Sequence, residues 1–430
     1  MQARTVWRRL LGVEKTVVEG VEFEEELDGT VSLVASVRPT SRAVSRCGKC
    51  GRKSGRFDAG EGRRRWRGLD FGEVLVFLEA DAPRVRCRDH GVVVAAVPWA
   101  RHGAGHTHAF DQQVAWLATQ TSKTAITQLM RIAWRTVGAI ITRYWADTSA
   151  ALDAFAGLRK IGVDEISYKK GHKYLTVVVD HDSGRLVWAA PGRDKATLNS
   201  FFDALADSAE TAGEDRCSLI THVSADGAEW IAAVVADRCP NAVRCADPFH
   251  VVKWATDALD EERREAWNTA RGAVGQRRAG RATGVAKELK NARWALWKNP
   301  EDLTANQTTQ LEWIVKTNPR LYRAYLLKEG LRTVFKLPLA EATEALDRWL
   351  SWASRSRIPA FVKLAKSIRG HRAPILAAIE HGLSNGRIES VNTKIRLITR
   401  VAFGFKSPEA LIALAMLNLG GHRPTLPGRK

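Results

Sequence analysis

The chain has 430 residues, too many for one compact core, so roughly two to four domains are expected. Apolar residues make up 45% of it, which excludes a mainly disordered chain, and no apolar run is long enough to cross a bilayer. Lys and Arg number 66 against 47 Asp and Glu, a formal charge of +19 with an isoelectric point near 9.9. That excess points to a polyanionic partner, because neutralised phosphates release counterions.

Met1 to Leu11 is basic with no apolar stretch behind it, so it does not read as a signal peptide and a cytoplasmic location is expected. Val17–Glu25 and Val31–Val37 are rich in β-branched residues and flank Asp28-Gly29, which predicts a hairpin. Two knuckles follow, Cys47-Gly48-Lys49-Cys50 and Cys87-Arg88-Asp89-His90. A two-residue gap lets both side chains of one turn point at one ion, so Cys47, Cys50, Cys87 and His90 form a Cys3His zinc set. Six cysteines are few for this length, and their grouping argues for a metal site in a reducing compartment rather than for disulfides. The 36 residues between the pairs would be absorbed by a hairpin extending from the knuckles, as in a zinc ribbon. Between them lies a basic run, Arg63, Arg64, Arg65 and Arg67 around Trp66, which reads as a phosphate clamp or as a solvated face, and an apolar strand at Val74–Leu78. Residues 1–105 are therefore expected to be a β-rich N-terminal region with this ribbon.

In 106–150, Val114, Leu117, Ile126, Leu129, Met130, Val137, Ile140 and Ile141 recur at helical spacing. Lys123–Arg143 fits two short helices around a turn near Ile132–Arg135, although it has no turn glycine. The second helix, with Arg135, Thr136 and Arg143, would read DNA as part of a helix-turn-helix. From 151 to 260 the pattern is three strands, Lys160–Ile166, Lys173–Asp180 and Arg185–Ala190, then a helix at Lys195–Ser208. A strand at Leu219–Ser224, a helix at Ala228–Ala236, a strand at Ala242–Cys245 and a helix from Pro248 follow. That is the element order of an RNase-H-like fold. Residues 261–380 show helices only, with Arg277, Arg278 and other basic residues and several tryptophans. Two helices, Asn385–Arg400 and Ser407–Leu419, close a final segment over 381–430.

Three acids stand where a sheet-based metal site needs them. Asp164 lies in an apolar strand, where an unpaired carboxylate is unfavourable, Asp226 ends the fourth strand, and Glu389 sits on a late helix. They are 62 and 163 residues apart, so only folding can join them. Each has a rival reading. Glu165 becomes the ligand if the strand register shifts, Asp226 before Gly227 suits a turn or cap, and Glu380 is an alternative to Glu389. Trp294 and Trp297 are expected to pack in the helical region rather than stack on a base, and Cys217, Cys239 and Cys245 to be buried small residues.

Taken together, the two knuckles, the helix pair, the contexts of Asp164 and Asp226, the run Asp247-Pro248-Phe249-His250-Val251-Val252-Lys253 and the segment Asn385–Arg396 resemble DDE transposases of bacterial insertion sequences, most closely the ISL3 family. The resemblance covers nearly the whole chain. It implies a multidomain α/β protein with an N-terminal zinc ribbon and helix-turn-helix. It also implies an RNase-H-like catalytic core interrupted after its fifth strand by an all-helical insertion, which accounts for the long gap before Glu389. Related transposases carry, after the second acid, a cysteine or aspartate separated by two residues from a histidine, and Asp247 and His250 match as supporting residues. The fourth zinc position, His90, departs from the more common cysteine but is a competent ligand.

The expected activity is binding of terminal inverted repeats, strand cleavage and strand transfer. Two magnesium or manganese ions would be held by Asp164, Asp226 and Glu389, alongside structural zinc. Double-stranded DNA would be contacted by the arginine run, by Arg135, Thr136 and Arg143, and by Arg277, Arg278, Lys394 and Arg396. Pairing two ends implies at least a dimer on DNA. A DNA-binding regulator without chemistry, and a structure-specific nuclease on the same core, are the alternatives.

Overall fold

The computed structural model describes residues 3–208, 215–275 and 284–429, which leaves Arg277 and Arg278 outside the described residues. It divides into two compact units, Met1–Leu152 with Ile398–Lys430, and Asp153–Leu397.

The first unit opens with α1 (Ala3–Leu10) and the expected hairpin, β1 (Thr16–Glu25) antiparallel to β2 (Val31–Pro39). Its turn is closed by the Thr30 amide donating to Asp28 Oδ1 at 2.9 Å. Five short strands follow: β3 (Gly55–Asp58), β4 (Arg63–Arg67), β5 (Leu75–Asp81), β6 (Arg84–Cys87) and β7 (Gly91–Val94). β3 and β4 run out from the first knuckle and β5 and β6 return antiparallel to the second, the expected hairpin between the cysteine pairs. β3, β6 and β7 make a small sheet at the knuckles, whereas β4 and β5 leave it and complete a four-stranded sheet in the order β1-β2-β5-β4. The inward residues of that sheet, Leu33, Val37, Val76 and Leu78, bury against Trp66 and Trp99, whose rings meet edge to face at 5.5 Å.

Three helices continue this unit: α2 (His108–Ala118), α3 (Lys123–Met130) and α4 (Trp134–Ala150). Thr107 and Ser122 cap the first two through their hydroxyls. The turn between α3 and α4 lacks glycine, so Arg131 takes the left-handed conformation at φ +51°. Its guanidinium is anchored on Asp70 at 2.5 Å and on the Glu73 carbonyl at 2.9 Å, contacts that offset this backbone strain. Beneath the turn, the buried Lys123 ammonium lies 4.1 Å from the Trp134 ring centre and 4.3 Å from that of Phe405.

The second unit is built on β8 (Lys160–Lys169), β9 (Lys173–Asp180), β10 (Leu186–Pro191), β11 (His222–Ala225) and β12 (Val243–Ala246), in the order β10-β9-β8-β11-β12. β8 pairs antiparallel with β9 and parallel with β11. One face carries α5 (Lys195–Asp207) and α6 (Glu229–Arg238), whose Phe201, Phe202, Ile231 and Val234 bury against Ile161, Val163 and Val223. Leading from β12, α7 (Pro248–Gly275) begins a run of helices: α8 (Gly284–Asn291), α9 (Arg293–Trp297), α10 (Ala305–Thr317), α11 (Pro319–Val334), α12 (Leu339–Ser354), α13 (Pro359–Gly370) and α14 (Arg372–Glu380). They share a core that includes Leu259, Leu321, Leu327, Leu346 and Phe361. Trp297 packs against it as expected, but Trp294 is 58% exposed.

Two helices close the chain, α15 (Gly386–Val401) and α16 (Pro408–Leu419). The sequence reading kept residues 381–430 together. By compactness, residues 398–430 group with the N-terminal residues, because α16 is apolar on nearly every side and packs on α4. α15 instead reaches the β8 strand at Gly162, where a Cβ would lie 2.2 Å from Ile388 Cδ1 and 2.9 Å from His181 Nε2.

Gly162→Ala should therefore force α15 off the sheet and lower stability by about 1–3 kcal/mol. Denaturant unfolding should show part of that loss recovered in Gly162→Ala/Ile388→Ala. A double variant no more stable than the single one would refute this account of the contact.

Candidate active site and zinc cluster

Successive side chains of β8 alternate between its faces, so Asp164 and Glu165 part company. Asp164 shares a face with Gly162 and turns toward α15. Its Oδ1 accepts from the Glu165 amide at 2.8 Å and its Oδ2 from Asn392 Nδ2 at 2.7 Å. Burial raises its pKa above the ordinary value, the Glu165 amide opposes that rise, and the nearby charge of Asp226 adds to it. Asp226 follows β11, the parallel neighbour of β8, and its Oδ1 caps the turn by accepting from the Ala228 amide at 2.9 Å. The two aspartates are thus brought into electrostatic range of each other.

Glu165 points the other way and pairs with Arg193 at 3.4 Å, as strand alternation predicts. Its carboxyl is pushed up to about 7, first by burial and then by Asp226. Glu389 is exposed, on the α15 stripe that carries Asn385, Ile388 and Asn392. It does not converge with the aspartates into a tight ligand group. Glu380, its alternative, ends α14 and is exposed beside His381.

Behind the aspartates runs a chain of polar contacts that sequence reasoning found only in part. His250 Nδ1 lies 2.7 Å from Asp247 Oδ2, and that bond, with the nearby charges of Asp164 and Asp226, raises the histidine pKa. Asp247 Oδ1 accepts from the Asn385 amide at 3.2 Å. Asn385 Oδ1 accepts from the Ser224 hydroxyl at 2.5 Å, and His181 Nε2 lies 2.6 Å from the same hydroxyl. Ser224 has one hydrogen to give and gives it to Asn385, so His181 is the donor. Arg387 donates to the His181 carbonyl. Ser224 sits in a strand that otherwise reads as apolar core, and His181 in the turn after β9, so nothing in their local pattern marked them. A buried polar residue facing the aspartates across the sheet was the available signal.

In the first unit the four zinc-type ligands do converge. Cys47, Cys50, Cys87 and His90 offer atoms within 4.8 Å of one another, the only such group among the described residues. Cys50 Sγ and Cys87 Sγ are 3.7 Å apart, and Cys87 Sγ and His90 Nδ1 3.6 Å. A tetrahedral zinc with metal–sulfur bonds of about 2.3 Å has ligand–ligand edges of about 3.8 Å, so the set fits. Cys87 is brought down to about 6 by its hydrogen bond with His90 and then by the Asp89 amide. The first knuckle is closed by the Cys47 amide donating to the Arg52 carbonyl, with Gly51 at φ +69° supplying the turn.

The basic residues expected on DNA divide into two groups. Arg63 and Arg65 pair with Glu79, Arg65 also with Glu24, and Arg67 with Asp70. Arg64 donates to the Ala104 carbonyl. Arg143 is held at 3.3 Å by Asp111, a fully buried acid that Arg101 also pairs. These arginines thus have acidic or carbonyl partners within their own unit, and Arg63 and Arg65 stay 48% and 43% exposed. Arg135 is exposed on the first turn of α4 beside half-buried Thr136, and Lys394 and Arg396 are exposed on α15.

Comparison with known proteins decides the family. Residues 161–415 match the ISL3 DDE family model, described as a transposase. The chain belongs to the ISL3 family of transposases. Residues 95–145 match the helix-turn-helix domain of the same family, and residues 43–90 the zinc finger of transposases of the elements IS204, IS1001, IS1096 and IS1165. The transposase of insertion sequence IS1557 of Mycobacterium tuberculosis is 63% identical over 99% of this chain and 97% of that protein. That of IS1001 of Bordetella parapertussis is 27% identical over 95% and 96%. The ISL3 helix-turn-helix makes this a DNA-binding transposase, and no described helix is long and apolar enough to cross a membrane.

Two outcomes are expected of this transposase. Cys87→Ser should lose bound zinc, about one equivalent by elemental analysis, together with affinity for the transposon end. Full end binding by zinc-free protein would exclude the cluster from DNA recognition. Glu165 holds its proton when folded at pH values where the unfolded chain has lost it, so its contribution to stability falls as pH climbs from 4.5 through about 7. In magnesium-free buffer Glu165→Gln should flatten the decline of Tm across that window. Identical slopes would show that Glu165 does not titrate there.

Proposed function

We propose that this transposase binds the terminal inverted repeats of an insertion sequence and performs strand cleavage and strand transfer with Asp164, Asp226 and Glu389. The observation that carries the reading is the bond from Asn392 Nδ2 to Asp164 Oδ2, which ties the helix of Glu389 to the strand of the first aspartate. The sheet order β10-β9-β8-β11-β12, three antiparallel strands followed by two parallel ones, supports an RNase-H-like core. The all-helical stretch 261–380 is then an insertion between the fifth strand and the closing helix. The ribbon over 1–105 and the helices over 106–150 would hold the transposon end, with structural zinc in the Cys3His set. Arg135, Thr136, Lys394 and Arg396 would contact phosphates or bases, as would Arg277 and Arg278. Two copies would be needed to pair two ends.

The donor set suits a hard divalent cation: three carboxylates leave places for water and substrate oxygens, and an amide oxygen buried without a partner lies beside Asp164. Asp164 would bridge two magnesium or manganese ions, and Asp226 and Glu389 would each hold one. Held there, such ions would supply a lowered pKa for bound water and charge stabilisation for the departing oxygen. The residues of the chain do the rest. The bond to Asn392 and the Glu165 amide fix the Asp164 carboxylate in one orientation. His250, whose protonated form the bond to Asp247 favours, would orient the scissile phosphate. Water attacks phosphorus and the 3′-oxygen leaves. The freed 3′-hydroxyl then attacks a target phosphodiester, so one such bond replaces another and no ATP is needed.

The decisive experiment uses a labelled duplex carrying the element's terminal repeat, with magnesium or with EDTA. Wild type should nick at the repeat boundary only with magnesium, and Asp164→Asn should cut at background level while binding the end as tightly. Cleavage retained by Asp164→Asn would overturn the assignment. Binding without cleavage by wild type would favour the regulator.

A further inference from the structure

Asn385, just before α15, and Ile388, Glu389 and Asn392 on it are spaced i, i+3, i+4 and i+7 and form one stripe. Ile388, fully buried, seats that stripe against Gly162, and one turn further on Asn392 meets Asp164. Asn392 is 3% exposed, yet only half of its amide is satisfied. Its nitrogen donates to Asp164 Oδ2 at 2.7 Å, while Oδ1 is buried with no hydrogen-bond partner.

The orphan follows from its neighbour. An ionised carboxylate only accepts hydrogen bonds, so the amide nitrogen must face Asp164 and the amide oxygen must face away from it. Turning the amide over would break the bond and set two oxygens against each other. An amide oxygen buried without a partner is unfavourable, and such an atom in a native protein calls for an explanation. Leucine would fill a similar volume without an unsatisfied atom. What leucine lacks is a neutral, hard oxygen next to the carboxylate assigned to bridge the ions. Magnesium takes oxygen ligands, and an amide oxygen adds one without adding to the repulsion among Asp164, Asp226 and Glu389.

We propose that Asn392 is a further ligand of the catalytic cation site, its amide nitrogen orienting Asp164 and its amide oxygen binding the divalent cation. This rests on the assignment of Asp164 as a cation ligand. α15 then contributes two donors, Glu389 and Asn392, from adjacent positions of one stripe. The neutral donor is the one already fixed in place before any cation arrives.

The test is Mn2+ binding to the zinc-replete full chain, followed by calorimetry and by the spin-resonance signal of free Mn2+, without DNA. Asn392→Leu should weaken Mn2+ binding at least about ten-fold while its cation-free melting temperature stays within a few degrees of wild type. Asn392→Asp, which makes the oxygen anionic, should bind Mn2+ more tightly than wild type and gain more thermal stability from it. Wild-type Mn2+ affinity in folded Asn392→Leu would overturn the proposal. Should the leucine variant fail to fold, Asn392→Asp decides, and affinity no tighter than wild type would overturn it. Asp164→Asn separates the two levels of argument. Unchanged affinity there would sink the catalytic assignment itself, whereas loss there with no effect of Asn392→Leu would sink only the role of Asn392.

Discussion

The second unit depends on how closely one helix approaches one strand. At Gly162 the β8 backbone has no side chain, and Ile388 of α15 fills the space a Cβ would take. That contact brings Asn392 within hydrogen-bonding distance of Asp164. It also brings Asn385 against Asp247 and Ser224, so a helix remote in sequence is bonded to three strands or strand ends of the sheet. Close packing of this kind tolerates little change, since protein interiors are as dense as organic crystals. The placement of Glu389 follows from the seating of its helix and not from any contact of its own.

The acids are held apart by physics that a cation would reverse. Asp164 is raised by burial and by Asp226, and Glu165 by burial and Asp226 together. Each extra negative charge makes the others harder to keep ionised. The bonds to Asp164 from Asn392 and from the Glu165 amide work against that trend, since they favour the charged form. His250 works in the same direction, its own charge supported by Asp247. The site is thus neutral donors and one cationic side chain arranged around clustered acids. This arrangement keeps carboxylates available in a partly desolvated place.

Much of this was legible in the sequence because it is local. The five strands of the second unit follow from β-branched runs between turn residues, and the zinc ligands from two short gaps. The opposite orientation of Asp164 and Glu165 follows from the period of a strand. What was not legible depends on residues far apart. Arg63, Arg65 and Arg67 read as a phosphate clamp because nothing near them shows that Glu24, Glu79 and Asp70 will lie opposite. Arg143 read as a DNA contact for the same reason, its partner Asp111 being a turn of another helix away. A run of one charge reports the sign of a segment but not which acids folding sets beside it. The hairpin between the cysteine pairs was legible too, but not the sheet that its far end joins, because local pattern gives strands and not their more distant neighbours. β4 and β5 belong to the sheet of β1 and β2.

The two metal-type sites differ in the same way. Cys47, Cys50, Cys87 and His90 converge within 4.8 Å because each pair is fixed by its own turn, and only one long-range contact is needed to join two turns. Such a site forms with the local fold and suits a permanent structural ion. Asp164, Asp226 and Glu389 come from a strand, a turn and a helix; Asp164 is anchored by Asn392 and the Glu165 amide and Asp226 by the Ala228 amide, while Glu389 is positioned only by the seating of its helix. Bringing three such acids together requires the whole unit and works against their mutual repulsion. On the proposed reading, a site assembled in this way would keep coordination places open for water and substrate oxygens, which a permanent structural site does not need to do.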